Sequence, residues 1–283
     1  MKYRIALILT ILLFAGGFIL VLYPVISEWN HSNLQKELND QYISTVGEKE
    51  DEEIEAELKK VREYNKYVQE GRVVLSDPFD ETAVLPSKES YEELLNVNGD
   101  RIMGFIHIPQ ISVEIPIYHS TDDEVMRKGA GHLPGTSFPI GGDGTHSVLS
   151  SHRGLSSAKL FTDLDKLEIG DEFYIYVLDR KLAYKVDQIK IVEPENISDL
   201  KIDDEEDYIT LITCTPYSLN THRLLVRGKR INMENQTSIE ENGLPKRNVP
   251  YPFYSICFIV ITIIAIVIIY IRTDTYREKK KFK

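Results

Sequence analysis

From Arg101 onward the apolar residues of this chain fall on alternate positions, and that change of period limits the fold more than any other feature. Ile102, Gly104, Ile106 and Ile108 alternate with other residues, and so do Ile111, Val113, Ile115 and Ile117. Phe173, Ile175 and Val177 form another such set, and Leu182, Tyr184 and Val186 another. Alternation of this kind turns one face of a strand to a core and the other away from it. Ile209 to Ile212 and Leu224-Leu225-Val226 are short continuous apolar runs. Many short strands separated by glycine- and proline-bearing turns predict a mainly β domain, a sandwich or barrel, over residues 100–232. Gly141-Gly142-Asp143-Gly144 reads as a flexible turn ahead of the strand that reaches His152. A phosphate loop is the rival there, but no Walker Lys-Ser/Thr and no helix follow.

Ahead of the strands the pattern is helical. Residues 26–70 carry Ile54, Leu58, Val61, Tyr64 and Val68 at three- and four-residue spacing, one apolar stripe that predicts a helix packed on the β domain. The stripe covers too few heptads for a coiled coil. Asp51, Glu52 and Glu53 stand where acids suit a helix N-terminus, and Glu55 and Lys59 are spaced for an i,i+4 pair. Residues 71–99 hold Pro78 and Pro86 among polar residues and read as a long connecting loop.

Two apolar runs bracket the chain, residues 5–23 and 253–271, each of the length a bilayer-spanning helix needs. Lys2 and Arg4 precede the first, and a basic tail (residues 272–283) follows the second. By the positive-inside rule the expected protein is a two-pass membrane protein. Residues 1–4 and the tail would be cytoplasmic and the middle outside, with 233–252 as a linker to the second span. No small-x-small cleavage site follows the first run, which favours an anchor over a signal peptide. The chain has a net charge of −11 with basic ends, so its middle is more acidic still. Such a surface does not bind nucleic acid by neutralising phosphates.

The chain has two cysteines, and Cys257 lies within the second apolar run. Cys214 is therefore a lone thiol, with no internal disulfide open to it. An external domain without disulfides fits the Gram-positive surface better than eukaryotic secretion. Cys214 ends an apolar run in Leu211-Ile212-Thr213-Cys214-Thr215-Pro216-Tyr217, at a strand end leading into a loop. A thiol attacks as thiolate, so it needs a base or a positive charge nearby. Arg223 is a permanent cation with a fork of donors suited to an oxyanion or to substrate positioning. Of seven histidines, His31 belongs to the N-terminal segment, and His107 and His119 lie in or beside strands. His132 and His146, in glycine-rich loops, stay open. His222 neighbours Arg223 and would face away from it on a strand. His152, in Ser150-Ser151-His152-Arg153-Gly154, is the best candidate partner.

Thr213-Cys214-Thr215-Pro216-Tyr217, together with Asn220-Thr221-His222-Arg223-Leu224-Leu225-Val226-Arg227-Gly228, resembles the signature of the sortases. Ser151-His152-Arg153-Gly154 with Leu160-Phe161 and Leu167 resembles their histidine region, and Gly131-His132-Leu133-Pro134-Gly135-Thr136-Ser137 a further family block. The resemblance covers roughly residues 72 to 230. It implies an eight-stranded sortase β-barrel with N-terminal helices and two flanking transmembrane helices, and His152, Cys214 and Arg223 as the catalytic triad. Asp77-Pro78-Phe79 matches the Asp-Pro-aromatic lid of class C sortases, in which Asp77 would meet Arg223 and Phe79 would cover Cys214. Ser151 departs from the glycine often found before the family's histidine.

The implied activity is transpeptidation. A thioacyl-enzyme forms on an LPxTG-like sorting signal, cut between Thr and Gly, and a pilin lysine amine resolves it. The expected partners are LPxTG-type pilin or surface-protein substrates, the acceptor lysine and the membrane, with no nucleic acid, no metal and no cofactor. A wall-anchoring sortase and a cysteine protease share the same thiol chemistry. A sortase substrate is the reading from another class, because Leu244-Pro245 precedes an apolar run and a basic tail. There, however, Lys246-Arg247-Asn248 stands where x-Thr-Gly is required.

Overall fold

The computed structural model describes residues 2–71, 88–155 and 157–232. The chain divides into two compact units, Met1–Asn242 and Gly243–Lys283, and the second lies outside the described residues. In the first, eight strands close into a barrel: β1 (Ile102–Ile108), β2 (Val113–His119), β3 (Ala130–His132), β4 (Thr145–Ser150), β5 (Glu172–Val177), β6 (Arg180–Val192), β7 (Asp207–Thr215) and β8 (His222–Ile231). The order around the barrel is β1-β2-β3-β4-β7-β8-β6-β5, so no edge is left open. Two neighbouring pairs, β2 with β3 and β4 with β7, are parallel, and the others are antiparallel. The mainly β domain expected from the alternation is therefore present, and of sandwich and barrel it is the eight-stranded barrel that the resemblance implied. Ile111 falls in a short 3-10 turn ahead of β2 rather than on the strand.

Closure requires strands to approach closely. Gly104 sits beside a register shift in the pairing of β1 with β2, and on the β5 side a Cβ there would lie 2.2 Å from the Tyr176 carbonyl oxygen. Only glycine fits that approach. β7 is buried along its whole length, flanked by β4 and β8, which makes it a central stave of the barrel.

Four helices accompany the barrel among the described residues: α1 (Lys2–Gly47), α2 (Asp51–Gln69), α3 (Lys88–Glu93) and α4 (Asp123–Lys128). α2 buries Ile54, Leu58, Val61 and Val68 as its stripe predicts, with Asp51, Glu52 and Glu53 in its first turn. Asn65, not Tyr64, takes the remaining buried position. Its amide exchanges two hydrogen bonds with the Phe138 backbone, accepting from the N–H at 2.7 Å and donating to the carbonyl at 3.2 Å. Glu55 turns to Arg62 and Arg180, at 3.3 and 3.4 Å, instead of to Lys59. α3 falls within the stretch expected to be a loop, and Tyr91 and Leu95, in and just after it, are buried.

The two-pass membrane arrangement is not supported: no helix among the described residues is long and apolar enough to cross a membrane. The run at residues 5–23 is not an element of its own. It is one part of α1, which continues through Pro24 to Gly47. The later part of that helix is polar outside and packs Gln35, Asn39, Tyr42 and Val46 inward. The apolar window is fused to a polar helix, so the helix as a whole is not an apolar span. The expected cytoplasmic ends and outward middle, which rested on two spanning helices, are not supported either. Leu9, Leu13, Ile19, Leu20 and Val21 are exposed along α1. The run at 253–271 lies outside the described residues.

Candidate active site

Cys214 is the penultimate residue of β7 and is 9% exposed. Across the antiparallel ladder it pairs with Arg223, while Thr213 pairs with Leu224 and Thr215 with His222. Side chains of directly opposed residues share a face, with Cβ atoms about 4.5–5.5 Å apart. The guanidinium stem and the thiol thus rise from the same side of the sheet. His222, one residue out of phase, belongs to the other face, as its place beside Arg223 implied.

β4 supplies the other flank. It runs parallel to β7 with Ser150 opposite Ile212. The contact continues past the strand end, because Ser151 N–H donates to the Ile212 carbonyl at 3.2 Å and the Thr213 hydroxyl donates to the Ser151 carbonyl at 2.9 Å. Carried on by two residues, that register brings His152 level with Cys214. The order across this end of the barrel is therefore His152, Cys214, Arg223 on three adjacent strand ends. The imidazole is mostly covered, and its Nε2 lies 2.8 Å from Asp123 Oδ1. Arg223 Nη1 donates to the carbonyls of Asn220 (3.3 Å) and His222 (3.4 Å), which ties the guanidinium to the turn between β7 and β8.

The surrounding loops are fixed by side chains from the same segments. Arg153 donates to the Thr215 hydroxyl at 3.2 Å and pairs with Asp165 at 2.5 Å. Its guanidinium lies 6.0 Å from the centre of the Tyr217 ring, which is more than half exposed. Gly154 has φ +81°, and a Cβ on it would stand 2.6 Å from that ring. Tyr217 and Leu219, in the turn that follows β7, are both exposed.

The two histidines left open by sequence are structural. His132 is buried, stacked on Phe138 at 5.0 Å, with Nδ1 at 2.8 Å from the Tyr91 hydroxyl and Nε2 at 2.9 Å from the Ser137 carbonyl. Burial lowers its pKa to about 3. His146 is placed between the Lys201 carbonyl (2.9 Å) and the Thr210 hydroxyl (2.7 Å), and burial lowers its pKa to about 4. Both rings are neutral and fully engaged. His119 is buried as well, with its nitrogens on the carbonyls of Arg101 and Leu94. His31 is a residue of α1, and burial lowers its pKa. Asp77, Pro78 and Phe79 lie outside the described residues. Asp123 was not singled out in the sequence, since nothing there connects it with a histidine 29 positions away.

No metal-binding group of three or more His, Cys, Asp or Glu side chains occurs among the described residues. A cavity of about 770 Å³ lies at the opposite end of the barrel, where β4 and β7 begin, and none of the three candidate residues lines it. Asp207 is buried there and is raised above the usual carboxyl range by desolvation. It is held by Gly142 N–H (2.9 Å) and the Tyr184 hydroxyl (2.9 Å), a structural arrangement.

Residues 106–231 match the sortase domain family. Sortase C1 of Streptococcus agalactiae superposes with a TM-score of 0.64 at 40% identity, covering 70% of this chain and all of that one. Sortase C-1 of Streptococcus pneumoniae gives 0.63 at 41% identity, covering 70% and 99%. Among curated proteins, sortase D of Bacillus subtilis is 30% identical over 131 residues, 45% of this chain and 63% of that protein. The chain thus spans a little under two thirds of that relative's length. The closed barrel brings cysteine and arginine onto neighbouring strand ends, with histidine two residues past the end of the adjoining strand. The chain belongs to the sortase family, and its likeness to the C1 enzymes places it in class C.

Proposed function

We propose that this chain is a pilin-polymerising transpeptidase in which Cys214, His152 and Arg223 carry the chemistry. The observation that carries the reading is the strand register, which seats Cys214 opposite Arg223 and level with His152. The Cys214 thiolate adds to the carbonyl carbon of Thr in an LPxTG-like signal, and the carbonyl electrons move to oxygen. Arg223 faces that developing negative charge. As the oxyanion collapses, the Thr–Gly C–N bond breaks, His152 gives its proton to the departing amine, and a thioester remains. A pilin lysine amine then attacks the thioester, its proton passes to His152, and the C–S bond breaks to regenerate the thiolate. The product is an isopeptide bond, and no cofactor enters the balance.

The test is incubation of the full chain with a sorting-signal peptide. Mass spectrometry should show a thioacyl adduct on Cys214 that is absent in Cys214→Ala. An adduct that survives the substitution removes Cys214 as nucleophile. The acceptor separates the related readings. A pilin lysine as the effective amine supports polymerisation, a peptidoglycan-precursor amine would make the chain a wall-anchoring enzyme, and water alone a protease. Asp77-Pro78-Phe79 completes the proposal as a lid, an aromatic shielding the thiol and a carboxylate pairing with Arg223. Phe79→Ala is expected to speed alkylation at Cys214 several-fold, followed by peptide mapping so that Cys257 does not contribute. Equal rates in the two proteins would remove the lid.

A further inference from the structure

His152 Nε2 meets Asp123 Oδ1 at 2.8 Å, while the other oxygen of the same carboxylate accepts from Arg127 Nε at 2.7 Å. The two bonds divide the carboxylate between an imidazole and a guanidinium. The Arg127 bond is the chief reason the Asp123 carboxyl sits below its usual range, and the His152 bond adds to it against a burial effect of opposite sign. An ionised carboxylate only accepts, so His152 Nε2 must carry the hydrogen. In the neutral ring the lone pair is then on Nδ1, and Nδ1 becomes the atom that exchanges a proton.

The short helix that presents Asp123 is pinned to the strand that presents His152. Ser151 is fully buried. Its hydroxyl reaches the Gly129 carbonyl at 2.6 Å, just past the end of α4, and lies 3.3 Å from the Met126 carbonyl within it. From the other side, Gln35 on α1 donates to the Lys128 carbonyl at 3.0 Å. A glycine at position 151 has no hydroxyl with which to make this link. The serine preceding the histidine, a departure from the related pattern, thus has a structural use here.

We propose that Asp123, set in place by Ser151, is a positioning residue that fixes the tautomer and ring orientation of His152. This rests on the reading of His152 as the proton-exchanging group. An acid-base imidazole gains from a third group that orients it. The pair is partly open to solvent, so the effect should be smaller than at a sealed site.

The tautomer gives a readout separate from turnover. In the full chain labelled with 15N-histidine, long-range proton–nitrogen spectra at alkaline pH should show His152 as the Nε2–H form. Asp123→Ala should yield a tautomer mixture and lower kcat about tenfold, with KM within about twofold. Asp123→Asn has one acceptor oxygen, which Arg127 retains, so its NH2 group faces Nε2. This variant should drive the ring to the Nδ1–H form and lose activity. The double variant Asp123→Asn/Arg127→Ala frees that oxygen and should restore the Nε2–H form and part of the rate. Ser151→Gly should weaken the tautomer preference while the amide spectrum stays folded. A wild-type tautomer in both Asp123→Ala and Asp123→Asn overturns the proposal, whatever happens to the rate. Full activity in His152→Ala would instead sink the assignment of His152 itself, an outcome that the tautomer spectra do not depend on.

Discussion

Arg223 faces Cys214 across a single ladder rung, and in its proposed role what counts is a charge that cannot be titrated away together with a planar set of donors. Lysine keeps the charge but not the fork. Arg223→Lys should therefore lower kcat by about 100-fold, the scale of losing an oxyanion donor, with KM changed less, measured with a sorting-signal peptide and an amine acceptor. Gly154 is the other residue with a sharp expectation. At φ +81°, with Tyr217 only 2.6 Å from where a Cβ would stand, Gly154→Ala must strain the backbone or displace the ring. A several-fold rise in KM is expected, with the barrel intact by circular dichroism. The sequence was legible at these positions where local rules apply. Strand alternation put His222 on the face away from Arg223, and the ladder agrees. It put His152 first but left His132 and His146 open, because what separates them is burial and bonding to distant carbonyls and hydroxyls. Asp123 was invisible for the same reason.

Between residue and molecule, the elements divide into those set by their own pattern and those set by partners. α2 shows the first kind: its acidic first turn and most of its stripe were readable, but Asn65 in place of Tyr64 was not, because a polar residue seldom enters a buried stripe without a partner. That partner is the Phe138 backbone, 73 positions on. α1 shows the second kind. Its apolar and polar parts read as separate segments but form one helix, whose Tyr42 is completely buried. The Tyr42 hydroxyl donates to the Met103 carbonyl at 2.9 Å and accepts from Leu178 N–H at 2.8 Å, bridging β1 and the turn between β5 and β6. Burial raises its pKa, so the phenol stays protonated and can make both bonds. Tyr42→Phe leaves two buried backbone groups unpaired and should cost about 1–3 kcal/mol in urea unfolding.

For the whole molecule, closure itself was the least readable feature. Alternation identifies strands, but the parallel pairing of β4 with β7, which brings His152 beside Cys214, depends on contacts about 60 positions apart in the chain. The closed barrel also buries neutral imidazoles, and this gives stability a direction with pH. His132 and His146 have folded pKa values of about 3 and about 4 against an ordinary 6.5. The unfolded chain takes up their protons first, so their contribution is whole above pH 6.5 and is lost as pH falls from 6.5 towards 4 and then 3. Asp207, raised by burial, works in the opposite sense and only near the carboxyl range. At pH 5 the two histidines together should cost about 4 kcal/mol relative to pH 7.5. Thermal melts should show this as a fall in Tm, reduced in His146→Gln. A Tm independent of pH across this range would contradict the buried neutral assignment. The bridge made by Tyr42 also decides where the chain can be cut. A recombinant fragment begun at the barrel would leave the Met103 carbonyl and the Leu178 amide open to water, and one begun after Gln35 would lose a brace on the helix carrying Asp123. Trimmed versions meant for crystals or assays should start upstream of that glutamine, or they will measure a loosened enzyme.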